Sequence, residues 1–200
     1  MRGGGATFVM VLALICTWGC GEPAPPPSIE GSTGAASSSS GAAESSSGVM
    51  AGPPVSLVRA EGWELTDAAD DPFPGERPDF VQCEIGWDVE TGAFEVSTDL
   101  CTYGSFSQRS LAEIHEGDVL ELVILHDALY AEEPAVAHLA IAFGQEIAWE
   151  TEIPIPSEAN QLRPTWTAPS DVAINTPVTF HVHNHGTNNY RLIDLTVASP

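Results

Sequence analysis

From Val55 onward the apolar residues recur with a period of two rather than 3.6, and that period dictates what the chain can fold into. In Val178-Thr179-Phe180-His181-Val182 and in Ile193-Asp194-Leu195-Thr196-Val197 every second side chain is apolar. This is the pattern of a strand with one buried face. Val136 to Phe143 alternates too, with Leu139, Ile141 and Phe143 on one side and His138, Ala140 and Ala142 on the other. Asp118 to His126 is an apolar run rich in branched residues, and the turn signal Glu116-Gly117 precedes it. Prolines at 134, 154, 156, 164, 169 and 177 punctuate the same half of the chain. Many short strands between turns specify an all-β domain, an antiparallel sandwich or barrel. Short helical turns are expected only at Arg109 to Glu116 and around Ala128 to Glu133.

Three segments follow from composition. Residues 1–19 read as an export signal: Arg2 supplies the positive charge, and Phe8 to Cys16 is an apolar run of signal length, too short for a membrane span of roughly 20 residues. The sequence Thr17-Trp18-Gly19-Cys20 resembles a lipobox. The resemblance implies that Cys20 is acylated, becomes the mature N-terminus and holds the protein in a membrane. Gly21 after it, where an aspartate would mark the inner membrane, implies the outer membrane. Residues 20–54 are dominated by Gly, Ala, Ser and Pro and read as a disordered tether. Residues 55–200 form the β-sandwich domain, of ordinary single-domain size. Cys16 leaves with the signal and Cys20 takes lipid, so Cys83 and Cys101 remain as a pair for a structural disulfide, as an oxidising compartment permits.

The mature chain has no lysine, five arginines and twenty-eight acidic residues, a net charge near −23. Such a surface excludes nucleic acid as a partner and leaves cations, neutral ligands and basic proteins. No phosphate-binding, dinucleotide-binding or nucleophile-elbow motif is present. Nothing brings a catalytic Ser, His and Asp together, so no catalytic residue is assigned and an enzyme is the less favoured reading.

The most informative stretch is His181-Val182-His183-Asn184-His185. On a strand the three imidazoles project from one face, about 7 Å apart, and Val178, Phe180 and Val182 face the core. A hairpin turning at Gly186 to Asn189 would pair Val182 with Ile193, Phe180 with Leu195, Val178 with Val197, His183 with Leu192 and His181 with Asp194. Imidazoles at i and i+2 can converge on one transition metal, copper or zinc, given a third ligand from a neighbouring strand. His138 is the candidate third ligand, and Asp194 is a candidate ligand or orienting carboxylate. Without a metal, the same face is a candidate ligand surface, with His185, Asn184 and Tyr190 at its turn. His126 is expected to end its strand at the core edge.

The order of features resembles the jelly-roll of galactose-binding-like and carbohydrate-binding modules. A segment Glu61-Gly62-Trp63-Glu64 comes first, Ser105-Phe106-Ser107-Gln108 leads to Gly117-Asp118, and Asn184-His185-Gly186-Thr187-Asn188-Asn189-Tyr190 precedes a last strand carrying Asp194. The resemblance implies an antiparallel jelly-roll sandwich and makes carbohydrate or an envelope protein the expected partner. Trp63, Trp87, Trp149 and Trp166 would then be the stacking candidates, although core positions suit them equally. Asp67, Asp70 and Asp71 form an acidic loop without the glycine or terminal glutamate of a calcium loop. The reading favoured overall is an envelope-anchored, non-catalytic binding module using its histidine face. A copper- or zinc-binding protein and a carbohydrate-binding module are the alternatives.

Overall fold

The computed structural model describes residues 52–198; the export signal, Cys20 and most of the expected tether lie outside that range. The described residues contain strands, turns and no helix. Twelve strands follow one another: β1 (Val55–Ser56), β2 (Glu64–Leu65), β3 (Trp87–Glu90), β4 (Ala93–Ser97), β5 (Tyr103–Arg109), β6 (Val119–His126), β7 (Ala135–Phe143), β8 (Glu146–Ile155), β9 (Asn160–Leu162), β10 (Thr165–Thr167), β11 (Pro177–His183) and β12 (Asn189–Val197). They form two antiparallel sheets. The first has the order β10-β6-β12-β4-β3, with β1 on β12 and β9 on β6; the second has the order β2-β5-β11-β7-β8. Apart from the hairpins β3–β4 and β7–β8, the chain from β4 to β12 crosses between the sheets at each step or pair of short strands. That crossing path is the β-sandwich expected.

The core lies where the two inner faces meet. Phe94 of β4 packs against Phe106 of β5 at 5.1 Å, against Phe180 of β11 at 6.3 Å and against Trp63 at 5.2 Å between ring centroids. Val178, Phe180 and Val182 are buried, as alternation requires, together with Leu120, Leu122 and Ile124 of β6. The disulfide Cys83–Cys101 forms, and on the chain-entropy account a loop of this length contributes about 3 kcal/mol. His126 closes β6 in a buried position. The two stretches expected to hold helical turns instead carry single bridges, Ile114 with Val172 and Leu129 with Ser157.

The expected β11–β12 hairpin does not occur. β11 pairs with β5 and β7, whereas β12 pairs with β4, β6 and β1. Residues 184–188 carry the chain from one sheet to the other. Alternation identifies which face of a strand is buried, and two strands of opposite sheets satisfy it as well as two neighbours do. The register along β12 also departs from simple alternation. A bulge between Leu192 and Asp194 lets Tyr190 and Leu192 point inward on one side of it and Leu195 and Val197 on the other, leaving Ile193 exposed. A bulge inserts one residue and so reverses the phase.

Candidate metal centre

The outer face of the second sheet is not a bare solvated surface. His181 and His183 of β11 stand beside Ser105 and Tyr103 of β5 on one side, and His183 is the direct partner of His138 of β7 on the other. The segment between β2 and β3 folds back over them and brings Asp71, Phe73, Glu76 and Arg77. Phe73 stacks on His181 at 4.3 Å and meets His138 edge-on at 5.7 Å. His181 consequently has no side-chain exposure.

Asp71 anchors this segment. Its buried carboxylate accepts hydrogen bonds from Tyr103 Oη at 2.6 Å, the Phe73 amide at 3.0 Å, Arg77 Nη1 at 2.7 Å and Ser105 Oγ at 2.8 Å. Burial alone would raise its pKa, but these donors outweigh burial and hold the carboxyl below its ordinary value. Asp71 is therefore an ionised acceptor, and the Ser105 hydroxyl proton is directed at it. The Ser105 oxygen then accepts from His181 Nδ1, 2.9 Å away. That chain assigns the tautomer: His181 carries its proton on Nδ1, and the lone pair of Nε2 faces the other way.

His181 Nε2 is buried and has no hydrogen-bond partner. It looks at Glu76 Oε2, 3.7 Å away. The same carboxylate oxygen lies 2.8 Å from His138 Nδ1 and 3.5 Å from His183 Nδ1. Ligand atoms of Glu76, His138 and His181 all fall within 4.8 Å of one another. Burial, with His138 nearby, pushes the His181 pKa down to about 3, so this imidazole is neutral. For Glu76, burial opposes ionisation but is outweighed by His138, His181 and His183, so it stays a carboxylate. His138 Nε2 in turn lies 3.3 Å from Glu150 Oε2.

The histidines singled out from the sequence are thus brought together, and Glu76, Asp71 and Ser105 complete a cluster that sequence reasoning missed. Asp194 is not part of it: it sits on β12 of the other sheet, opposite Val123. Asn184 and Tyr190 are buried and satisfied, with Asn184 Nδ2 donating to Thr98 Oγ1 at 2.6 Å and Tyr190 Oη donating to Asn184 Oδ1 at 3.1 Å. They hold the crossing between the sheets. His185 is exposed beside His183. Asp71 leaves the expected acidic loop, since only Asp67 and Asp70 of that group are exposed.

Among the described residues the tryptophans pack against the core, Trp63 fully buried and the other three half-buried. Trp87 lies against Phe94 and Phe106, Trp149 packs on the core, and Trp166 stacks on Phe143 at 5.5 Å. A surface cleft of about 470 Å³ between Glu64, Asp67, Asp70, Gln108, Gln145 and Thr179 has no aromatic residue in its lining, whereas one of about 430 Å³ beside β3 and β4 is lined by Trp87.

No family model matches the chain, and no curated protein matches it. Solved structures resemble it distantly. A CBM4 structure shares 14% identity over 74% of this chain and 95% of its own, with a TM-score of 0.42. The K3 cleaved adhesin domain of Lys-gingipain from Porphyromonas gingivalis shares 10% over 74% and 100%, also at 0.42. TmCBM27, a carbohydrate-binding module recognising mannan, shares 10% over 70% and 99%, at 0.35. Likenesses this distant carry no information on ligand or activity. The site is characterised by its own residues.

Proposed function

We propose that this chain is a non-catalytic metal-binding module of the cell envelope, holding one divalent transition-metal ion, zinc or copper, through Glu76, His138 and His181 with His183 beside them. One observation carries this reading: a buried, unpartnered imidazole lone pair on His181 Nε2 faces a carboxylate oxygen 3.7 Å away. Two acceptors facing each other in a partly dry pocket repel, and an unsatisfied buried polar atom costs about 1–3 kcal/mol. A cation between them converts both into ligands. A proton would do the same only in strong acid, since burial keeps His181 neutral down to about pH 3.

The donor set supports the class of metal. Imidazole with carboxylate suits zinc and copper, whereas calcium and magnesium favour all-oxygen sites. The surrounding groups are those that orient such ligands: Asp71 through Ser105 fixes the His181 tautomer, and Glu150 lies against the far nitrogen of His138.

Calorimetric titration of the purified chain with Zn²⁺ and Cu²⁺ tests the reading. One equivalent is expected to bind, with binding abolished by His181→Ala and weakened at least about tenfold by Glu76→Gln. Failure of the wild-type chain to bind either ion stoichiometrically would overturn it.

A further inference from the structure

The imidazoles of this face are graded from buried to exposed. His181 shows none of its side chain to solvent, His138 13% and His183 27%, and His185 is exposed. They also fall into two pairs. His138 and His181 have ring centroids 5.2 Å apart, and so do His183 and His185. Two imidazoles bound to one tetrahedral ion through nitrogens about 2.0–2.1 Å from it place their ring centres about 5 Å apart. Both pairs meet that requirement. The step between the pairs, His181 to His183, is 6.5 Å, and the Glu76 carboxylate spans it by approaching both rings.

His185 plays no part in shaping its own turn. The turn is held by Asn184 to Thr98, by Thr98 Oγ1 to the Gly186 carbonyl, and by Asn188 to the Tyr130 backbone. Gly186, at φ +128°, packs so closely on the Tyr130 carbonyl that a Cβ would collide with it. A rigid turn therefore displays an imidazole that its own structure does not need.

We propose that His183 and His185 form an outer capture pair that takes a divalent metal ion from solution and passes it to the inner Glu76–His138–His181 site, so that the ion is exchangeable cargo and not a structural fixture. This rests on the metal-binding reading above. The transfer is ligand exchange alone. Metal–water bonds break as the two outer nitrogens bind; the His185 and His183 bonds then break in turn as His181 Nε2, Glu76 and His138 bind. Imidazole lone pairs and the Glu76 carboxylate are the donors throughout; the proton that His138 Nδ1 shares with Glu76 leaves that nitrogen as the ion binds, and no electron moves.

Stopped-flow mixing of the full chain with Co²⁺, followed by release into excess chelator, separates the two roles. His185→Ala is expected to slow uptake and release alike, by about tenfold, while Kd changes less than about threefold, because an entry ligand alters both rates and leaves the final coordination intact. His115→Ala, an exposed histidine elsewhere, is expected to leave both rates unchanged. Unchanged rates in His185→Ala overturn the proposal. So does a loss of affinity as large as that of His181→Ala, which would make His185 a permanent ligand. If the wild-type chain takes up no Co²⁺ and competes for neither Zn²⁺ nor Cu²⁺, the metal-binding reading itself fails, and that outcome is distinct from both.

Discussion

At the scale of single residues, Ser105 decides what His181 can do. Its hydroxyl links an ionised Asp71 to Nδ1 of the imidazole and so leaves Nε2 free for a cation. Ser105→Ala removes that link, and the expected cost is about 1–3 kcal/mol of stability with a 10- to 100-fold loss of metal affinity. Urea unfolding and metal titration of the variant check both, and an unchanged metal affinity would show that the tautomer is not held by Ser105. The same residues make the metal-free protein sensitive to acid. The unfolded chain protonates His181 near 6.5, whereas the folded chain resists until about 3. Between those values the unfolded state binds more protons, so stability falls as pH falls. This contribution is on the order of 5 kcal/mol when fully expressed. Asp71, with its folded pKa depressed, stabilises the fold above the ordinary carboxylate pKa, and that contribution is lost as pH drops through its folded value. The urea midpoint of metal-free protein is therefore expected to fall steadily from pH 7 to pH 4; a flat profile would contradict the neutral, buried His181.

At the scale of elements, the segment between β2 and β3 is the piece that turns a strand face into a site. It is fixed by Asp71 and by the Phe73 ring lying on His181. Phe73→Ala is expected to cost about 3 kcal/mol or more and to expose this segment to limited proteolysis, while the remaining strands stay resistant. Uniform proteolysis would show instead that the segment is integral to the fold. Much of the element level was legible in the sequence. The period-two pattern located β7, β11 and β12 and identified Val178, Phe180 and Val182 as core, while a branched apolar run after a turn signal located β6. The partners were not legible, because alternation says which face of β11 is buried and not that β5 and β7 flank it. The β12 bulge hid behind a regular-looking Ile193-Asp194-Leu195 pattern. Glu76 was hidden for a related reason: it reaches His138 and His183 across 62 and 107 residues, through a proline-punctuated segment with no periodicity to follow. Arg77, one of five arginines in a domain crowded with acids, was the available hint that a carboxylate nearby is buried.

At the scale of the whole molecule, the strong negative charge and the metal-binding proposal fit together. A net charge of −22 raises the local concentration of cations around the sandwich, an effect that salt screens within about 10 Å. Metal uptake is therefore expected to slow as ionic strength rises, with stopped-flow rates as the readout. Reducing Cys83–Cys101 should lower stability by about 3 kcal/mol, which unfolding with and without reductant measures. The proposed envelope location depends on Cys20; Cys20→Ala is expected to move the protein from the membrane fraction to the soluble one, and an unchanged distribution would contradict acylation there. The metal centre itself is read by zinc K-edge absorption of the zinc-loaded chain. At least two imidazole nitrogens about 2.0–2.1 Å from the ion are expected, together with a carboxylate oxygen. A shell of oxygens alone would contradict that centre.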